Sequence, residues 1–187
     1  MVLLRKFYQR KTLSAAQDLL GCFLIRKFGK TIIRGMITET EAYIGEDDLA
    51  SHASRGRTPR TEIMYGPAGH AYVYLIYGMY HCLNVVTEKK DFPAAVLIRG
   101  IKVLGHPMSK LKKTSEVLGL NGPGKLCRFL KIDRKLNGWD LTRGEKLWIA
   151  SPRLVGRRPK KIKASKRIGI DYARHCKHYL WRFTLAE

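Results

Sequence analysis

The chain has 187 residues, 45% of them hydrophobic, which suits one domain with its own core and excludes a chain disordered throughout. Lys and Arg number 36 against 15 Asp and Glu, a formal charge of +21. An excess of that size draws a protein to polyanions (DNA, RNA or an anionic membrane surface) through its field and through counterion release. No apolar run reaches about 18 residues, so no segment reads as a spanning helix and a membrane partner is not expected.

Leu13–Leu20 reads as a helix, with Ser14 and Gln17 spaced as a capping box and Gly21 as a C-terminal stop. Ile32–Tyr43 reads as extended, and period two puts Glu39, Glu41 and Tyr43 on one face, with Thr38, Thr40 and Ala42 on the other. Gly45–Gly69 is loop-like. Ala71–Tyr77 and Tyr80–Thr87 read as the strands of a hairpin with Tyr77–Tyr80 at its tip. Ala94–Ile101 is a further strand and carries Arg99 among apolar neighbours. Leu126, Phe129 and Leu130 stand at helical spacing after the G-P-G-K run at 122–125. Arg157–Arg167 holds seven basic residues in eleven, and pattern alone leaves open a phosphate-facing loop or a merely solvated one. These elements predict a mixed α+β class, with antiparallel strands and one domain over 1–187. Cys22, Cys82, Cys127 and Cys176 form no C-x-x-C pair. With no secretory signal ahead of the first helix pattern, they are expected as reduced core thiols.

Five of the fifteen acids (Glu39, Glu41, Glu46, Asp47, Asp48) fall within ten positions. A nucleic-acid protein keeps carboxylates from phosphates unless they bind metal or do acid–base work, and the spacing matches no calcium loop. Glu46, Asp47 and Asp48 read as solvated loop residues. Glu41, inside a strand, is a candidate catalytic group, though the residues alone leave its role open. Tyr43, Tyr65, Tyr72, Tyr74, Tyr77 and Tyr80 form a second constellation. Enzymes acting on a base remove it from the stack and hold it between aromatic faces. Tyr72 reads as core, and Tyr77 as a hairpin-tip aromatic able to wedge into a base step. Arg99 needs a carboxylate partner if buried, and Glu41 is available; a structural ion pair and a functional one are not separable here. Asn84, in an apolar strand, should be hydrogen-bonded.

The blocks E-T-E-A-Y at 39–43, Ser51-His52, R-T-P-R at 57–60, M-Y-G-P at 64–67, G-H-A-Y-V-Y-L-I-Y-G-M at 69–79 and C-L-N at 82–84 resemble the 3-methyladenine (alkyladenine) DNA glycosylase family. A-V-L-I-R at 95–99, G-P-G-K-L-C at 122–127, R-I-G-I at 167–170 and W-R-F at 181–183 continue the match in the family's order. The resemblance implies a compact α+β domain with a curved antiparallel sheet and a protruding hairpin that enters the minor groove. It implies Glu41 as the catalytic carboxylate, with Arg99 and the backbone carbonyl of Ile168 helping to hold the attacking water. Tyr43, His52 and Tyr74 would enclose the flipped base. Leu97 would line its pocket, and Asn84 would face the purine edge that tells guanine from adenine. Tyr77 would intercalate with Met79 beside it, and Lys125 would contact DNA. The partner implied is duplex DNA carrying damaged purines, bound by a monomer with no metal or organic cofactor. The location expected is the bacterial cytoplasm (at the nucleoid) or a nucleus. Two rival readings are a basic, non-catalytic RNA-binding protein and a glycosylase/lyase with a lysine nucleophile.

Overall fold

A computed structural model describes residues 1–104, 117–152 and 161–186. Its strands are β1 (Phe23–Phe28), β2 (Thr31–Ile44), β3 (Ala71–Ile76), β4 (Tyr80–Val86), β5 (Ala94–Leu104), β6 (Val117–Asn121), β7 (Leu147–Ala150), β8 (Ile162–Ser165) and β9 (Arg182–Leu185). They pair antiparallel in one sheet of order β3-β4-β5-β2-β1-β7, with β6 added to β5, β9 to β2 and β8 to β9. Among the described residues three short helices accompany it: α1 (Arg5–Tyr8), α2 (Thr12–Asp18) and α3 (Pro123–Phe129). The class is α+β, as the sequence predicts.

The two long central strands explain where a functional face can exist. β2 and β5 run side by side, and each changes its outer partner halfway. β2 pairs with β1 up to Met36 and with β9 from Glu39; β5 pairs with β4 up to Leu97 and with β6 from Gly100. At the fork the register between β2 and β5 is irregular around Glu39. The irregularity reverses the phase of both strands. Ile33 and Ile37 face the core before it, Thr40 and Ala42 after it; on β5 the core residues switch from Val96 and Ile98 to Ile101 and Val103. Side chains alternate with period two, so a one-residue slip sends a whole set to the other face. Unbroken alternation from Ile33 would have driven Glu39 and Glu41 into the apolar core. Gly100 permits the close approach, since a Cβ there would lie 3.0 Å from Thr38 Oγ1 and 3.2 Å from Glu39 Cβ.

The other face of the sheet is covered by α2 and α3. Leu19, Leu24, Ile37, Leu83, Ile98, Leu126 and Leu130 are fully enclosed there, each contributing about 1.5–3 kcal/mol of burial. The helix predicted at Leu13–Leu20 starts one residue earlier, and the expected capping box does not form. Ser14 lies inside α2, and Glu88 from across the fold accepts from the Thr12 amide at 2.7 Å and from its hydroxyl at 3.0 Å. The loop Gly45–Gly69 contains two 3-10 turns, His52–Arg55 and Glu62–Tyr65. All four cysteines are free and buried.

Two loop assignments need correction. Asp48 is 2% exposed, not solvated, because its carboxylate is bound by Arg167. The basic run Arg157–Arg167 is not one loop. Part of it lies outside the described residues, Ile162–Ser165 is β8, and Arg167 is buried. No helix of the described residues is long and apolar enough to cross a membrane.

Candidate active site

The face opposite the core gathers the polar residues of four strands. Alternation along β3 sends Ala71 and Val73 inward and Tyr72 and Tyr74 to the other side; along β4 it separates Leu83 and Val85 from Cys82 and Asn84. Tyr43, beyond the phase break on β2, and Ala95, Leu97 and Arg99, ahead of it on the antiparallel β5, share that side. Together with His52, Ile168 and Tyr172 they enclose a cavity of about 120 Å³.

Glu41 lies behind the cavity wall and is wholly buried. Its Oε1 accepts from the Ile168 amide at 2.9 Å, and its Oε2 from the Tyr43 hydroxyl at 2.9 Å and more loosely from Arg99 Nη1 at 3.5 Å. Burial pushes its carboxyl above the ordinary carboxylate range, against the opposing pull of Arg99, the Ile168 amide and the Tyr43 hydroxyl; neighbouring Glu39 pushes the same way as burial. Arg99 also donates through Nε to Glu39 Oε1 at 3.0 Å, and Arg182 of β9 donates to that oxygen at 2.6 Å. The guanidinium is thus held at the fork, flanked by two carboxylates.

Aromatic rings form the sides. His52 and Tyr74 meet edge to face with centroids 4.5 Å apart, and Tyr72 tilts against Tyr74 at 5.2 Å. The Tyr72 hydroxyl and His52 Nδ1 are 2.7 Å apart. Burial, then the charges of Arg60 and Arg55, lower the His52 imidazole to about 4, so it is neutral near pH 7. Burial raises the Tyr43 and Tyr74 phenols well above their ordinary values, keeping both protonated. Asn84 Nδ2 donates to the Tyr72 carbonyl at 3.2 Å, which fixes the amide at the wall. Among the described residues no cluster of His, Cys, Asp or Glu could hold a metal ion.

The β3–β4 hairpin continues past Ile76, which lines the cavity, to its tip. Ile76 pairs with Tyr80, leaving a three-residue connection, Tyr77-Gly78-Met79, in which Tyr77 and Gly78 both have positive φ (52° and 69°). That backbone turns both large side chains to solvent, with Tyr77 79% and Met79 67% exposed.

The methylpurine-DNA glycosylase family model matches residues 6–187. This chain belongs to the methylpurine-DNA glycosylase family. It is 51% identical over 182 residues to a Sodalis glossinidius protein, covering 97% of this chain and 95% of the relative. A Methanocella arvoryzae protein is 48% identical over 188 residues (97% and 91%), and one from Clostridium perfringens 46% identical over 195 residues (98% and 95%). All three relatives are named as candidate 3-methyladenine DNA glycosylases.

Within this family member, the structure brings Glu41, Arg99, Ile168, Tyr43, His52, Tyr74, Asn84 and Leu97 to one locality. Ile168 reaches Glu41 through its amide. Tyr77 and Met79 are exposed at the hairpin tip and do not line the cavity, and Lys125 is exposed on the first turn of α3. Tyr72 is a packing residue as expected, buried with Ala53, Met64, Tyr65, Val86 and Ala95, and it also lines the cavity and bonds to His52. No local signal in the sequence marks Tyr172, and Arg182 is marked only as part of the W-R-F block at 181–183. Tyr172 lines the mouth and is 69% exposed.

Proposed function

We propose that this methylpurine-DNA glycosylase family member flips alkylated or deaminated purines from duplex DNA and hydrolyses their bond to deoxyribose. The observation that carries the reading is Glu41, a buried carboxylate held by three donors at the wall of an aromatic cavity. Cleavage of an N-glycosidic bond develops positive charge on the sugar, as in glycoside hydrolysis. A fixed carboxylate in a water-poor site stabilises that charge strongly, and it can take the proton of an attacking water. The water would lie beside the Glu41–Arg99 pair, within hydrogen-bond reach of both groups, whose own contact of 3.5 Å is the loosest of the three.

The walls fit the class of base. Tyr43 and Tyr74 offer ring faces, and a purine carrying positive charge after alkylation gains from the ring quadrupole. A neutral His52 adds no repulsion toward such a base. Tyr77 would fill the gap left in the duplex and Met79 would lie beside it, both being exposed apolar side chains at the tip. The net charge of +21, to which Lys125 belongs, supplies affinity for the phosphates. The test is incubation with a duplex carrying one hypoxanthine or one ethenoadenine, followed by alkaline cleavage. Scission at the lesion only after alkali is expected. An uncleaved duplex with both lesions and with 3-methyladenine DNA would overturn the reading.

A further inference from the structure

Arg167 and Asp48 form an ion pair whose side chains are 0% and 1% exposed. A buried pair is by itself weak evidence for stability, because desolvation offsets the attraction. What distinguishes this one is the set of segments it ties together. The guanidinium donates to both Asp48 oxygens at 2.6 and 2.8 Å, to the Ala42 carbonyl at 3.0 Å and to the Cys176 carbonyl at 3.2 Å. It lies between the Tyr43 and Trp181 rings, 4.8 and 5.0 Å from their centroids. Asp48 in turn accepts from the amides of Ile44 and Ala50, fixing the loop that leads into the turn carrying His52. The residue after Arg167 is Ile168, whose amide holds Glu41.

We infer that Arg167, locked by Asp48, is the positioning residue that sets the Ile168 amide on Glu41 and the Tyr43 ring at the base cavity. The inference rests on the proposed role of Glu41. Neither Arg167 nor Asp48 lines the cavity, so both act through the groups they hold. The planar fork is what the task requires. Its two Nη groups reach Asp48 and two carbonyls while its central carbon lies over two rings, and a lysine ammonium offers neither the plane nor the divergent pair.

The groups facing Glu41 from the elements around it are Arg99 on β5, Glu39 and Tyr43 on β2, Tyr74 on β3, Cys82 on β4, Arg182 on β9, and Arg167 with the Ile168 amide. Arg167→Lys keeps every charge in that set and removes only the fork. Loosening the Ile168 amide withdraws a donor that favours ionised Glu41, so the carboxyl titrates at higher pH. The general base must be ionised, so the acid limb of the rate profile moves to higher pH.

The test uses the full chain and single-turnover excision of hypoxanthine from a duplex. Arg167→Lys should lower the rate by roughly tenfold to a hundredfold, the usual effect of a displaced reacting group. It should move the acid limb upward and leave the affinity for undamaged duplex unchanged. Asp48→Asn, nearly the same shape, should lower the rate similarly. Lower melting temperatures with an unchanged rate and acid limb, measured well below melting, would reduce the pair to a structural strut and overturn the inference. Hydrogen exchange on the wild-type protein decides the matter even if both variants fail to fold. The Ile168 amide, on a residue 48% exposed, should exchange as slowly as the core amides of β2; surface-like exchange overturns the inference. Glu41→Gln run alongside separates the two failures. Wild-type excision by Glu41→Gln sinks the catalytic reading, whereas an inactive Glu41→Gln beside a fully active Arg167→Lys sinks only the positioning role.

Discussion

Replacing Tyr77 by glycine should move stability and function in opposite directions. Tyr77 sits at φ 52° and is 79% exposed. A left-handed backbone costs a non-glycine residue about 1–2 kcal/mol, and the freedom glycine adds to the unfolded chain offsets about 0.5–1 kcal/mol of the relief. So exposed a ring contributes little burial to the free protein. Tyr77→Gly should therefore stabilise it by about 1.5 kcal/mol or less, a rise of no more than about 6 °C in melting temperature for a chain of this size. On DNA the lost ring forfeits stacking worth about 1–3 kcal/mol, which lowers the extrusion equilibrium by roughly fivefold to 150-fold. Ethenoadenine fluorescence in a duplex reports extrusion, and calorimetry reports stability. Unchanged extrusion would refute the wedge assignment. Impaired extrusion accompanied by a clearly lower melting temperature would refute the strain argument and return Tyr77 to a packing role.

Asn84→Ser should raise excision of guanine and N7-alkylguanine relative to hypoxanthine. The wall amide fixed on the Tyr72 carbonyl excludes the guanine amino group by clash or by a stranded donor worth about 1–3 kcal/mol. A constant ratio of single-turnover rates in a folded variant would place selectivity elsewhere. Affinity for undamaged duplex should fall steeply and linearly in log K against log salt, and a flat plot would remove phosphate neutralisation as its source. With water as nucleophile, borohydride should trap no protein–DNA adduct; a trapped adduct would favour a lysine nucleophile. His52 is held down at about 4, against 6.5 for the unfolded chain, so the unfolded chain takes a proton that the folded protein refuses. Stability should therefore fall as pH drops from 6.5 toward 4. His52→Gln should flatten that part of a plot of urea midpoint against pH, and an unaltered slope would assign it to other groups.

The hairpin and the strand carrying Arg99 were legible because alternation and turn residues are local signals. The period-two grouping of Glu39, Glu41 and Tyr43 was legible too, but not the reason they avoid the core. That reason is the phase break at the fork, set by changes of strand partner that no local pattern displays. Strands β1 and β7 carry weak alternation, and β1 takes its place from β2 and β7 from β1. The failed capping box and the misread Asp48 share one cause. Their partners, Glu88 and Arg167, lie 76 and 119 residues away, and a window of ten residues shows a carboxylate without its cation. Tyr72 reads as a packing residue and is one, but nothing local shows that its hydroxyl also reaches His52 at the cavity. Gly105–Asn121, which matched no motif, lies outside the described residues except for β6.

The central claim is that Glu41 acts as a charged base from a fixed position. Glu41→Gln preserves its shape and the oxygen that accepts from the Ile168 amide, while removing the charge and the basic oxygen. The decisive measurement is single-turnover excision of hypoxanthine by this variant, with ethenoadenine fluorescence followed on the same preparation. The account predicts excision slower by orders of magnitude, with extrusion and lesion binding retained. Excision at a rate near that of the wild-type protein would contradict it.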